Sequence, residues 1–126
     1  MDLISIIKIL NDKNRLRIIN ILNDNSLCVG EVQTILNIQQ SNTSRHLNKL
    51  KSNNVIIFTK DAQKIYYTFN KEILNNFSFL KPLLFDDLKK DTTFIQDKNK
   101  LQRYLNSDLS CDDLRLVNFE FEKLNL

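Results

Sequence analysis

Along the first 54 residues, apolar side chains recur every three or four positions, the period of a helix with a buried face. Leu3, Ile6, Ile7 and Leu10 open the chain at that spacing and leave it apolar on more than one side, which predicts a helix packed against two surfaces. A second stripe runs through Leu16, Ile19 and Leu22, joined by Ile18 and Ile21, with Asp12 as its N-cap. Residues 26–37 read as a third helix. Val29, Val32 and Leu36 share one face, with Ile35 beside it. Residues 38–54 read as a fourth, after a gap of about three residues. Two short helices joined by so tight a turn predict helix-turn-helix.

The period changes at residue 55. "VIIFTKDAQKIYYTFN" is rich in β-branched and aromatic residues and is broken by Asp61, Ala62 and Gln63. That predicts a hairpin with Lys60 and Lys64 flanking its tip. Residues 71–90 return to helix, striped by Ile73, Leu74, Phe77, Leu80, Leu84 and Leu88 and kinked or interrupted at Pro82. Two more helices are expected, over 91–105 and 110–126. The last opens on Ser110 with Asp113 three residues later, a capping-box spacing. The class is mainly α with a small β-hairpin (α+β): four helices, a two-stranded hairpin, then C-terminal helices. Gly30 and Pro82 are the sole residues of their types. Asn25, Asn37, Asn53 and Asn54 are therefore expected to stop helices in place of glycine.

Composition narrows the classes. With 42% apolar and 26% charged residues, global disorder is excluded. No apolar run approaches the roughly 18 residues of a membrane span. The early acid Asp2 and the lack of a small-residue cleavage site make the first segment part of the mature fold, so a cytoplasmic location is expected. Cys28 and Cys111 should then be free thiols unless something binds or oxidises them. His46 is the sole histidine, so one chain cannot build a metal site from histidines. Without a Gly-rich phosphate loop or a nucleophile–base arrangement, the chain reads as a non-enzyme.

The net charge of +3 permits an anionic partner without demanding one, and its placement decides more. At about 100° per residue, Thr43, Leu47 and Leu50 fall on one side of the fourth helix. Ser41, Asn42, Arg45, Asn48, Lys49 and Ser52 lie opposite, with Gln40 and Ser44 near the N-terminal end. No acid occurs between Gln39 and Asn54. The plain reading is a solvated face. The alternative is a face for the major groove, where Arg forks onto guanine and Gln or Asn pairs with adenine. The order of elements favours the second: an acid-free polar helix directly after a turn, then a hairpin with lysines at its tip that can reach phosphates. A winged helix that binds only proteins would need an acidic or apolar face here, and residues 39–54 have neither.

Four blocks in this order, "LNDKNRLRIINIL", "SLCVGEV", "LNIQQSNTSRHLNKLKSNNVI" and "IYYTFN", resemble the ArsR/SmtB winged helix-turn-helix repressors over about residues 9–70. The family's glycines before the recognition helix and before the first strand appear here as Asn37 and Asn54. The resemblance implies a homodimer that holds double-stranded operator DNA and lets go when an inducer binds. It divides the chain into a DNA-binding and dimerisation domain, residues 1–90, and a C-terminal helical extension packed on it, residues 91–126. Dimerisation falls on residues 2–10 and 71–89. Base reading falls on Gln40, Ser41, Ser44 and Arg45. With Asn42 and Lys49 from the helix and Lys60 and Lys64 from the wing, these make the expected DNA-binding set. His46 lies at the helix flank, at the core edge or near a phosphate. One of Tyr66 and Tyr67 should pack inward.

Metal-sensing members often carry Cys-x-Cys in the third helix. Here Cys28 is kept and the second position is Gly30, while residues 71–90 hold no histidine for the family's zinc site. Soft ions such as trivalent arsenic, cadmium or lead want two or three thiolates, and Cys111 can supply the second, from its own chain or a partner. Three readings stay open. Cys28 and Cys111 bind As(III) or another soft metal ion as inducer; they form a reversible disulfide that reports oxidants or sulfur species; or Cys28 is a small buried hydrophobe and Cys111 is incidental.

Overall fold

A computed structural model describes residues 1–115 and 121–126. The order is α1 (Leu3–Leu10), α2 (Lys13–Leu22), α3 (Val29–Leu36), α4 (Gln40–Ser52), β1 (Ile56–Asp61), β2 (Lys64–Phe69), α5 (Ile73–Asn76), α6 (Leu80–Pro82), α7 (Thr92–Leu105) and α8 (Cys111–Arg115). A π turn (Leu83–Asp87) and a 3-10 turn (Leu88–Lys90) prolong α6, and a 3-10 turn (Phe121–Leu124) follows α8. Among the described residues, no helix is long and apolar enough to cross a membrane.

Local chemistry sets the boundaries. The Asp2 carboxylate accepts the Ser5 N–H at 2.8 Å, and that of Asp12 accepts the Arg15 N–H at 3.0 Å, so both acids cap the helices they precede. Asn37 and Asn54 adopt the left-handed region, at φ 53° and 59°. Asn53 ends α4 at φ −101°, without that conformation. After α2, Asp24 takes the positive φ, 69°, where Asn25 was expected to stop the helix; Asn25 Nδ2 donates instead to Ile21 O and Asn23 O.

Three expected helices are shorter or broken. The third starts at Val29, because Leu27 pairs as a bridge with Tyr67, through hydrogen bonds of 2.9 and 2.8 Å, and its backbone is already committed there. Residues 71–90 are not one kinked helix. The break falls at Phe77, whose φ is −136°, just after Asn75 and Asn76, which are weak helix formers. Pro82 sits in the first turn of the next stretch, where its missing N–H costs little. The last helix is described over Cys111–Arg115, residues 116–120 of the expected 110–126 helix lie outside the described residues, and Phe121–Leu124 is a 3-10 turn instead of α-helix. Ser110 does open it: its N–H donates to the Asp113 carboxylate at 2.7 Å.

The wing pairs Ile56 with Phe69 through to Asp61 with Lys64, and Ala62, at φ 57°, turns its tip. Behind it lies one continuous apolar cluster that includes Ile18, Ile35, Leu50, Ile56, Leu101 and Leu114. Residues beyond 90 are thus part of the same core. α7 packs on α2 and α3, and α8 packs on α3. The Arg17 guanidinium fixes this arrangement. It forks onto Asp97 of α7 at 2.8 and 3.0 Å and donates to Leu36 O, at the end of α3, at 2.9 Å. The apolar sides of α1, by contrast, are only half covered: Leu3, Ile4 and Ile7 are 45–59% exposed.

Candidate nucleic-acid interface and thiol pair

Buried Thr43, Leu47 and Leu50 fix the rotation of α4, and the Thr43 hydroxyl donates to Gln39 O at 3.0 Å. Gln40, Ser41, Asn42, Arg45, Asn48 and Lys49 are thereby exposed, and Ser44 is half-buried. Arg45, Asn48, Lys49, Lys51 and Ser52 line a cleft of about 570 Å³ together with Arg15 from α2. Sequence reasoning missed Arg15. Its Nε donates to Ile9 O at 2.6 Å, which turns the guanidinium toward α4 across a gap that helical periodicity does not register.

His46 belongs to the core edge. It is 3% exposed, and its Nε2 lies 3.9 Å from an Asp12 carboxylate oxygen. Burial holds its pKa below the ordinary histidine value; Asp12 opposes this, and Arg45 and Arg15 add to it. A neutral, enclosed imidazole makes no phosphate contact.

The two wing lysines differ. Lys60 is exposed. Lys64 is partly covered and its Nζ lies 2.6 Å from the carboxylate of Asp112 on α8. Lys51 stacks its ammonium over Phe58 at 5.4 Å from the ring centre, which braces β1 against α4. Tyr67 is the wing aromatic that packs on the core, held by its bridge to Leu27. Tyr66 is half-buried.

Cys28 is the N-cap of α3 and Cys111 the first residue of α8. Both are 3% exposed, and they form a disulfide within the chain, with Cα atoms 6.2 Å apart. The expected free thiols are therefore joined, because α8 packs on α3 and brings the two sulfurs together without help from a second copy. Glu31 completes the cluster. Its carboxylate accepts the Cys28 N–H at 2.9 Å and the Tyr104 hydroxyl at 2.5 Å. Ligand atoms of Cys28, Glu31 and Cys111 all lie within 4.8 Å of one another. Burial, then the bond to Glu31 and its charge, push the Tyr104 phenol well above its usual range. Sequence reasoning missed Glu31 and Tyr104. A signal existed for Glu31, an acid three residues after an N-cap; none existed for Tyr104, which is 73 residues away.

Comparison with known proteins bears on these features. The family described as bacterial regulatory protein, arsR family, matches residues 12–57. A cadmium resistance transcriptional regulatory protein (CadC) of Listeria innocua is 41% identical over 70 residues, 54% of this chain and 59% of that protein. The chain thus spans well under two thirds of that regulator's length. The arsenical resistance operon repressor of Staphylococcus aureus is 32% identical over 75 residues, 60% of this chain and 72% of that protein. Among solved structures, HlyU from Vibrio cholerae superposes with a TM-score of 0.55 at 32% identity, covering 64% of this chain and 88% of that one. These relatives are transcriptional regulators and none is named as an enzyme. Four helices and a wing in this order, with a matched sequence through the recognition helix, place the chain in the arsR family of bacterial regulatory proteins.

Proposed function

We propose that this chain is a DNA-binding transcriptional repressor that works as a homodimer and leaves its operator when an inducer reacts at Cys28 and Cys111. The observation that carries the reading is the acid-free exposed face of α4, rotated outward by a buried Thr43, Leu47 and Leu50. Gln40, Ser41, Ser44 and Arg45 read base edges, assisted by Asn42, while Lys49, Lys60 and Arg15 hold phosphates. Lys64 joins them to the extent that Asp112 releases it.

A second copy covers α1. Ile7, Leu10, Leu16, Phe79, Pro82 and Leu83 line an apolar groove of about 590 Å³, next to exposed Leu3 and Ile4. A twofold pair also sets two recognition helices about one helical turn apart, as an inverted repeat requires. In this reading residues 1–90 form the DNA-binding and dimerisation unit and residues 91–126 the inducer-responsive extension. The inducer is a thiophilic metalloid or soft metal ion. Relatives named for cadmium and arsenical resistance support this, as does a pair of cysteines already in bonding range. One observation favours a second reading, release by an oxidant or sulfur species: the two cysteines form a disulfide, with Cα atoms 6.2 Å apart.

Selection from a random duplex library is the test. Enrichment of an inverted repeat with half-sites about one turn apart supports the proposal. Recovery of unrelated sequences overturns it.

A further inference from the structure

Glu31 is 7% exposed, yet its two partners, the Cys28 N–H and the Tyr104 hydroxyl, are both uncharged. Among the described residues, Glu31 takes part in no ion pair. A buried carboxylate without a cation is costly unless something positive can join it. Two sulfurs lie within 4.8 Å of it.

We propose that, once the Cys28–Cys111 bond is reduced, Cys28, Glu31 and Cys111 form a three-donor site for a divalent soft or borderline cation such as cadmium, lead or zinc. Glu31 makes that site prefer such dications to trivalent arsenic. This rests on the reading that the two cysteines receive the inducer.

The chemistry balances as follows. Two molecules of a thiol reductant open the disulfide and leave as their own disulfide, giving two Cys thiols. A dication then displaces two thiol protons and takes two thiolates, with the Glu31 carboxylate as third donor. The two thiolates balance the charge of the dication but leave it coordinatively open, and the Glu31 carboxylate fills that position. For zinc, bonds of about 2.0–2.3 Å place donors about 3.5 Å apart; the two sulfurs, bonded to each other in the disulfide, must separate to that spacing, with the Glu31 carboxylate within 4.8 Å of both. Arsenous acid reacts differently. It condenses with two thiols, loses two waters and forms two covalent As–S bonds in a neutral adduct. In that adduct two sulfurs and the remaining hydroxyl fill the three bonds of arsenic, so no position is left for Glu31. Tyr104 is a positioning residue: its hydroxyl orients the carboxylate from behind.

The test titrates cadmium chloride into the reduced full-length chain and follows the ultraviolet thiolate-to-metal band. Arsenite is titrated in parallel and followed by loss of free thiol. Glu31→Gln keeps an acceptor for the Cys28 N–H, since glutamine also serves in a capping box. Cadmium affinity is expected to fall by at least about 10-fold in this variant, with arsenite binding unchanged. Equal cadmium affinity in Glu31→Gln and wild type, or an equal loss for arsenite, overturns the proposal. Should Glu31→Gln fail to fold, Tyr104→Phe takes its place, with the same contrast expected. The underlying reading fails separately, if wild type binds neither species or if Cys28→Ser and Cys111→Ser bind as wild type does.

Discussion

Lys64, on the wing, and Asp112, one residue after Cys111, form an ion pair with Nζ and Oδ2 2.6 Å apart. The pair links the helix that carries Cys111 directly to an element expected to meet phosphate. An acid beside a wing lysine lowers the positive potential offered to a duplex. Asp112→Asn is therefore expected to tighten DNA binding and to steepen its dependence on salt by about one unit of slope. Stability should change by no more than about 0–1 kcal/mol, because Asp112 is largely exposed and water screens the pair. Anisotropy titrations across a salt series will check this. An unchanged slope would show that Lys64 makes no phosphate contact in either form.

Arg45→Ala and Lys60→Ala should fail differently. Losing a forked base contact costs about 1–3 kcal/mol and relaxes preference at one position, while losing a phosphate contact weakens all duplexes alike. Competition between the selected repeat and random DNA separates the two effects. Equal ratios for wild type and Arg45→Ala would remove Arg45 from the base-reading set.

Arg17→Ala strands Asp97, which is 2% exposed, as an unpaired buried acid. It also removes the hydrogen bond to Leu36 O at the end of α3. A loss of about 3–5 kcal/mol in urea denaturation is expected. A loss within the range of an exposed pair would mean that solvent reaches Asp97 readily.

His46 makes stability fall with acid. Its folded pKa lies below the ordinary value of 6.5, so the unfolded chain binds the proton first. The contribution is complete above that value and is lost as pH drops through it toward the folded pKa. His46→Gln should flatten the decline in denaturation midpoint as pH falls below about 6.5. An identical decline in the variant would assign the effect to other groups.

Reducing the Cys28–Cys111 bond, which closes a loop across 83 residues, should lower stability by about 2–4 kcal/mol. Cys111→Ser should reproduce this loss and become insensitive to reductant. Thermal melts with and without reductant are the measurement.

Local patterns in the chain reveal much of this molecule. The core side of α4, the Asp12 cap, the left-handed Asn37 and Asn54 and the existence of the hairpin each depend on residues a few positions apart, although Asp61, read as part of the break, pairs with Lys64 inside the wing. What stayed hidden depends on distant partners. Leu27 leaves the third helix because Tyr67 takes its backbone groups. Residues 71–90 break at Phe77 through the weak pair Asn75–Asn76, while proline, the obvious breaker, is harmless in a first turn. Arg15 enters the basic cleft through a bond to Ile9 O, and Cys111 finds Cys28 only because α8 settles on α3. Spacing along a chain carries no trace of such meetings.

The shared core also governs how such a regulator can be taken apart. Leu101, Tyr104 and Leu114 press on the same cluster as Ile18 and Ile35. A hybrid that grafts residues 1–90 onto a foreign tail would leave bare, sticky walls on α2 and α3. Exchanging the C-terminal segment of this protein therefore means transplanting the wall together with whatever leans against it.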